Sequence, residues 1–103
     1  MPRILLMYDI AEDRARSKVA DLCLDYALQR IQYSAFCGTL SRTLIEELML
    51  KIGRIVHGKE HNVQAIPICA SDWDTRRVLA SRIPPGTPTD RDEWDAQPGE
   101  YDE

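Results

Sequence analysis

Ile4-Leu5-Leu6-Met7-Tyr8 is an unbroken apolar run that begins after Arg3 and stops abruptly at Asp9. Arg3 to Tyr8 has the length of a strand. The lack of polar alternation predicts a strand buried on both faces. Asp9 then falls where strand meets loop, the region in which open α/β sheets gather functional groups.

The spacing downstream predicts two amphipathic helices. Over 12–27, Ala15, Val19, Leu22 and Tyr26 recur at four, three and four residues and form one apolar stripe. Basic residues crowd the start of this helix and acids follow. That arrangement opposes the helix dipole, so an anionic ligand near Asp9 is one reason for it. The second helix is expected to start at Ser41 as N-cap, with Leu40 and Ile45 as a hydrophobic staple. Ile45, Leu48, Ile52 and Ile55 carry its stripe, and Gly58 stops it.

Residues 28–40 alternate. Ile31, Tyr33, Ala35 and Cys37 point one way and are expected to face the core. Arg30, Gln32, Ser34 and Phe36 point to a polar face. The pattern fits one bent strand or two short ones. A strand over 62–70 contains Pro67, which lacks a ladder donor and predicts an edge position. Val78-Leu79-Ala80 is a candidate last strand. Two helices on one sheet make a two-layer α/β sandwich.

At 103 residues there is room for one domain. Its net charge of -4 is unevenly spread. Residues 1–82 carry twelve Lys and Arg against ten Asp and Glu. Residues 83–103 carry one Arg against seven acids, among several prolines and glycines. The expected division is a folded domain over 1–82 and an acidic, Pro-rich tail over 83–103. A weakly basic body leaves a nucleic-acid partner open. The tail reads as a solubility segment, a protein contact or a shield for a basic groove.

No apolar run approaches the length of a membrane span, and the first residues do not read as a signal peptide. The expectation is a soluble, cytoplasmic chain. Cys23, Cys37 and Cys69 are odd in number and widely spaced, without a CxxC pair, and are expected to be reduced core thiols. His57 and His61 are separated by Gly58 and make a poor metal pair. Trp73 and Trp94 are read as packing residues.

One block is more specific. Tyr8-Asp9-Ile10 precedes Arg14, Arg16 and Lys18-Val19-Ala20, and then come Tyr26 to Leu40 and a closing strand ending Ile68-Cys69. From residue 1 to about 70 this resembles the CRISPR-associated protein 2 family, the small subunit of the spacer-acquisition machinery. The resemblance implies a ferredoxin-like α+β sandwich, with two helices on one antiparallel sheet, assembled as a homodimer. It implies a role in CRISPR adaptation, bridging dimers of the integrase, CRISPR-associated protein 1, along duplex DNA. It also implies metal-dependent endonuclease activity, with single-stranded RNA as a further substrate and Mg2+ or Mn2+ near the dimer axis.

Carried over by position, Asp9 is the metal-binding aspartate, with Tyr8 before it. Arg16, Lys18, Arg30 and Phe36 match positions implicated in nuclease activity. Arg14, Arg16, Lys18 and Arg30 are the candidate nucleic-acid contacts. Lys18 is often Arg in the family, and Lys loses the bidentate fork. Ala27 replaces a common Gly.

Phosphodiester hydrolysis needs a metal to polarise the phosphoryl group and generate hydroxide. Magnesium takes oxygen ligands and keeps most of its waters, so one or two carboxylates suffice. Asp9 is one, and a two-fold axis would supply the second. The plainer alternatives are a turn or cap role for Asp9, a solvated face for the helix cations and a dimer contact for Phe36. Three functions compete: a non-catalytic adaptor, a metal-dependent nuclease, and a regulatory module or RNA-cleaving toxin of the same fold.

Overall fold

A computed structural model describes residues 3–81 of the chain. The order is β1 (Arg3–Ile10), α1 (Asp13–Asp25), β2 (Gln29–Gln32), β3 (Ala35–Thr39), α2 (Arg42–Val56), β4 (His61–Ile68) and α3 (Ala70–Asp74). The four strands form one antiparallel sheet in the order β2-β3-β1-β4. β4 lies at an edge, as Pro67 requires. No helix among the described residues is long and apolar enough to cross a membrane.

β1 is not buried on both faces. Ile4, Leu6, Tyr8 and Ile10 are buried under the helices, whereas Met7 and Asp9 are exposed on the other face. The apolar run conceals this alternation because Leu5 and Met7 are hydrophobic but only partly covered.

α1 buries Ala15, Val19, Ala20 and Cys23, with Leu22 and Tyr26 at the rim of the core. Its stripe is therefore rotated slightly from the one expected. α2 starts where the Ser41 signal places it: Ser41 Oγ accepts from the Leu44 N–H at 3.2 Å, and Leu48, Ile52 and Val56 are buried. Gly58 follows the helix end with φ +77°, a conformation that disfavours a side chain. The Tyr26 hydroxyl donates to the Glu47 carboxylate and ties α1 to α2. That bond holds the Glu47 carboxyl below its usual range.

Residues 28–40 are two strands. A turn at Tyr33-Ser34 separates them, and Ile31 is an extra residue between the pairs Arg30↔Phe36 and Gln32↔Ala35. The turn and the bulge together leave Arg30 and Phe36 as partners on one face, and that face lies under the helices. Phe36 pairs with Leu6 on the helix side and is fully buried in the main core. It does not lie on a polar face. Gly38 accommodates Leu28, since a Cβ there would stand 2.7 Å from Leu28 Cδ2.

The short helix α3 has no counterpart in the sequence pattern. Trp73 is buried outside the main core cluster, between Arg3 at 4.9 Å and Arg76 at 4.1 Å from its ring centroid. Arg3 lies on the face opposite the helical layer, so α3 covers one end of the otherwise open side. Val78-Leu79-Ala80 is not a strand; it is irregular, with Leu79 exposed. Cys23 and Cys37 are buried, but Cys69 is exposed at the start of α3 and is not a core thiol. Trp94 and the 83–103 segment lie outside the described residues, as does the boundary at residue 82.

Candidate nucleic-acid and metal site

The open sheet face is built around Asp9. β1 pairs with β3 only as far as Met7↔Ala35, so Asp9 stands beyond the end of the hairpin ladder. The Tyr8 N–H bonds the Ser34 carbonyl at 3.0 Å and draws the β2–β3 turn alongside. On the other side, Asp9 is paired with Asn62 of β4. The result is a shallow hollow of about 450 Å³, lined by Asp9, Gln32, Tyr33, Ser34, Asn62 and Gln64 among others. Gln64 Nε2 donates to Asn62 Oδ1 at 3.1 Å and fixes that amide.

The donors here are one carboxylate with amide and hydroxyl oxygens. An all-oxygen set suits a hard divalent cation that retains its waters. No cluster of three or more His, Cys, Asp or Glu able to hold a metal occurs among the described residues. The residues present fit a water-rich Mg2+ or Mn2+ held through Asp9, with no second carboxylate lining the hollow among the described residues.

Tyr8 points the other way. It is buried, and its ring lies 6.2 Å from that of Phe36, with 23° between the ring planes. Burial raises its phenol above the ordinary tyrosine value, and the nearby Arg30 partly opposes this. The Arg30 guanidinium lies over the Phe36 ring at 5.0 Å and the Tyr33 ring at 5.7 Å. Tyr8, Arg16, Ser17, Asp21, Arg30 and Tyr33 line a hollow of about 240 Å³ on the helix side.

Arg16 Nη1 donates to the Ile10 carbonyl at 2.8 Å, and Nη2 pairs with Asp13. The Asp13 carboxylate raises the Arg16 pKa. Part of the basic crowding at the helix start thus has a local structural cause.

The candidate residues are therefore divided. Asp9 is alone on the open face. Arg16 and Arg30 meet beside Tyr8, and Arg14 and Lys18 lie on the other flank of α1 with Arg54 and Lys59. Phe36 is a core residue and touches neither hollow. Sequence reasoning does not single out Asn62, Gln64, Tyr33 and Ser34 around Asp9. The alternation of Asn62, Gln64 and Ile66 against Val63, Ala65 and Pro67 is the available signal, but it does not name the partner strand.

The fold and this site define a small ferredoxin-like α+β domain with an exposed acidic side chain, Asp9, on the open face of its sheet. The family described as CRISPR associated protein Cas2 matches residues 1–76. A CRISPR-associated endoribonuclease Cas2 of Chloroflexus aurantiacus is 55% identical over 75 residues, which cover 73% of this chain and 88% of that protein. A CRISPR-associated endonuclease Cas1/endonuclease Cas2 fusion of Thermoproteus tenax is 36% identical over 85 residues, covering 82% of this chain and 31% of the fusion. The crystal structure of Streptococcus pyogenes Cas2 shares the fold at a TM-score of 0.64 and 22% identity, covering 76% of this chain and 98% of that one. The chain belongs to the CRISPR-associated Cas2 family, which functions in CRISPR adaptation.

Proposed function

We propose that this chain is the adaptor of a cytoplasmic spacer-acquisition complex, a homodimer that bridges integrase dimers and binds duplex DNA. The observation that carries this is the half-covered sheet. Met7, Ile66 and Tyr33 are exposed on it at 41%, 38% and 74%, beside Asp9. A second copy placed there covers the apolar side chains and brings two Asp9 carboxylates together. The Thermoproteus tenax relative, named as a Cas1/Cas2 fusion, supports an integrase partner.

A second activity, metal-dependent endonucleolytic cleavage, is favoured by the exposed Asp9 and by relatives named as endoribonucleases. Bound Mg2+ or Mn2+ supplies Lewis-acid polarisation of the phosphoryl group and a hydroxide near neutral pH. Asp9 holds the ion. Arg16 and Arg30 anchor flanking phosphates, and Arg14 and Lys18 hold the more distant backbone. Hydrolysis joins the water oxygen to phosphorus, breaks one P–O ester bond and returns the proton to the leaving oxygen. Tyr8, with its raised phenol pKa, stays protonated and acts as a packing group beside Arg30.

The test is light scattering on the purified chain, with cleavage assays on single-stranded RNA and duplex DNA in Mg2+, Mn2+ or EDTA. A dimer that binds duplex is expected. A monomer would overturn the adaptor role. Cleavage lost in Asp9→Asn by about 10³-fold, as several kcal/mol of metal stabilisation implies, is the expected mark of the nuclease. Equal cleavage by both proteins would remove Asp9 from that role.

A further inference from the structure

The helical layer carries a second concave surface, which the Asp9 site does not use. Glu12, Arg14 and Lys18 on α1 face Arg54 at the end of α2 and Lys59 beyond it, across a hollow of about 500 Å³. Lys59 is 3.9 Å from Glu12. Arg14, Lys18 and Arg54 have no hydrogen bond or ion pair among the described residues.

Folding alone gives little reason to gather these cations. Arg14 sits in the first turn of α1, at the positive end of its dipole. Lys18 is one turn further along the same face, where like charges repel. Arg54 is the exception, because the last turn of α2 favours a cation. Arg14 and Lys18, placed against the preference of the helix, share one concave surface with Arg54 and Lys59, and the four cations face one Glu12 carboxylate, an excess of positive charge that matches an extended anion.

We infer that the α1–α2 seam grips the phosphodiester backbone of a nucleic-acid duplex, with Arg54 and Lys59 as contacts beyond those expected on α1. This rests on the nucleic-acid role proposed above and adds where the backbone runs. The rise from Arg14 to Lys18 is ~6 Å, about the separation of neighbouring phosphates on one strand. Arg16 lies on the other flank of α1, in the hollow it shares with Arg30. Cations thus line both sides of that helix, and a long polyanion spans both where a short acidic peptide meets one. The seam and Asp9 lie on opposite faces of the sheet, so holding and cutting are separable.

The experiment measures affinity for a labelled DNA duplex against NaCl concentration, using the full chain. It compares wild type with Arg54→Gln, Lys59→Gln and their double variant. Arg42→Gln combined with Arg77→Gln, both outside the hollow, matches the charge change of the double variant. Circular dichroism confirms that each variant folds. The double variant is expected to lower the log–log salt slope by roughly 1.8, or 0.9 for each phosphate that is no longer neutralised. The Arg42→Gln/Arg77→Gln protein is expected to leave it unchanged.

A wild-type slope retained in the double variant would overturn the seam while leaving duplex binding intact. An equal loss in the Arg42→Gln/Arg77→Gln protein would reduce the effect to net charge and overturn it too. Stronger loss of binding to a labelled poly-glutamate peptide than to duplex would assign the seam to an acidic protein instead. Absence of any salt-dependent duplex binding by wild type would remove the nucleic-acid role itself.

Discussion

The Arg16 guanidinium donates to the Ile10 carbonyl at 2.8 Å and so ties the first turn of α1 to the residue after Asp9. Arg16 is therefore a positioning residue as well as a candidate phosphate contact. Arg16→Ala is expected to lower the urea midpoint, while Arg14→Ala leaves it in place. If the two variants unfold alike, the bond to Ile10 carries no weight in the fold.

Ala27 ends α1 in a left-handed conformation, with φ +64°. The Leu28 N–H bonds the Cys23 carbonyl at 3.1 Å and the Ala27 N–H bonds that of Leu24 at 2.9 Å. These are the two bonds of a Schellman cap, a position suited to Gly. The strain on Ala outweighs the extra chain entropy of Gly, so Ala27→Gly is expected to stabilise the domain by about 0.5–1 kcal/mol. Urea unfolding of the two proteins checks this.

Phe36→Ala removes a fully buried ring and is expected to cost about 3–5 kcal/mol. Phe36→Leu should keep the fold and full duplex affinity. A folded Phe36→Leu protein that had lost nucleic-acid binding would return the ring to an interface role.

Burial pushes the Cys23 thiol up to about 12, from an ordinary 9.0. The unfolded thiol ionises first, so the unfolded chain binds fewer protons and stability falls as pH rises from about 9 towards 12. Cys37 shifts in the same direction, also by burial. Denaturant midpoints measured across this range should decline, less steeply in Cys23→Ala. At pH 8, Ellman's reagent should label Cys69 first in the native protein, and all three thiols only in guanidinium.

The helices α1 and α2, the Ser41 cap, the Gly58 stop and the edge position of β4 are legible because each rests on local chemistry within a few residues. The exposure of Asp9 is legible from its charge, but its place is not: the apolar run puts it where strand meets loop, and it lies inside β1, paired with Asn62. The facing of Phe36 is not legible, because the alternation sorts 28–40 into two faces without saying which one the helices cover, and Arg30, Gln32 and Ser34 mark the face of Phe36 as polar. The coverage of β1 is hidden for a related reason: Leu5 and Met7 look like core residues, and only the tertiary arrangement leaves their face open. The division of Arg14 and Lys18 from Arg16 follows from helical geometry, but Arg54 and Lys59 join the first pair only through the packing of α1 on α2.

Tyr8 and Asp9 are neighbours in the chain that face opposite sides of one strand, and both sides depend on the same count of residues. A slip of β1 by one position would drive the carboxylate into the core and turn the phenol out to solvent. The desolvation penalty of Asp9 thus serves as a proofreader for strand pairing, and a hydrophobic residue at position 9 would relax that check before any chemistry was lost.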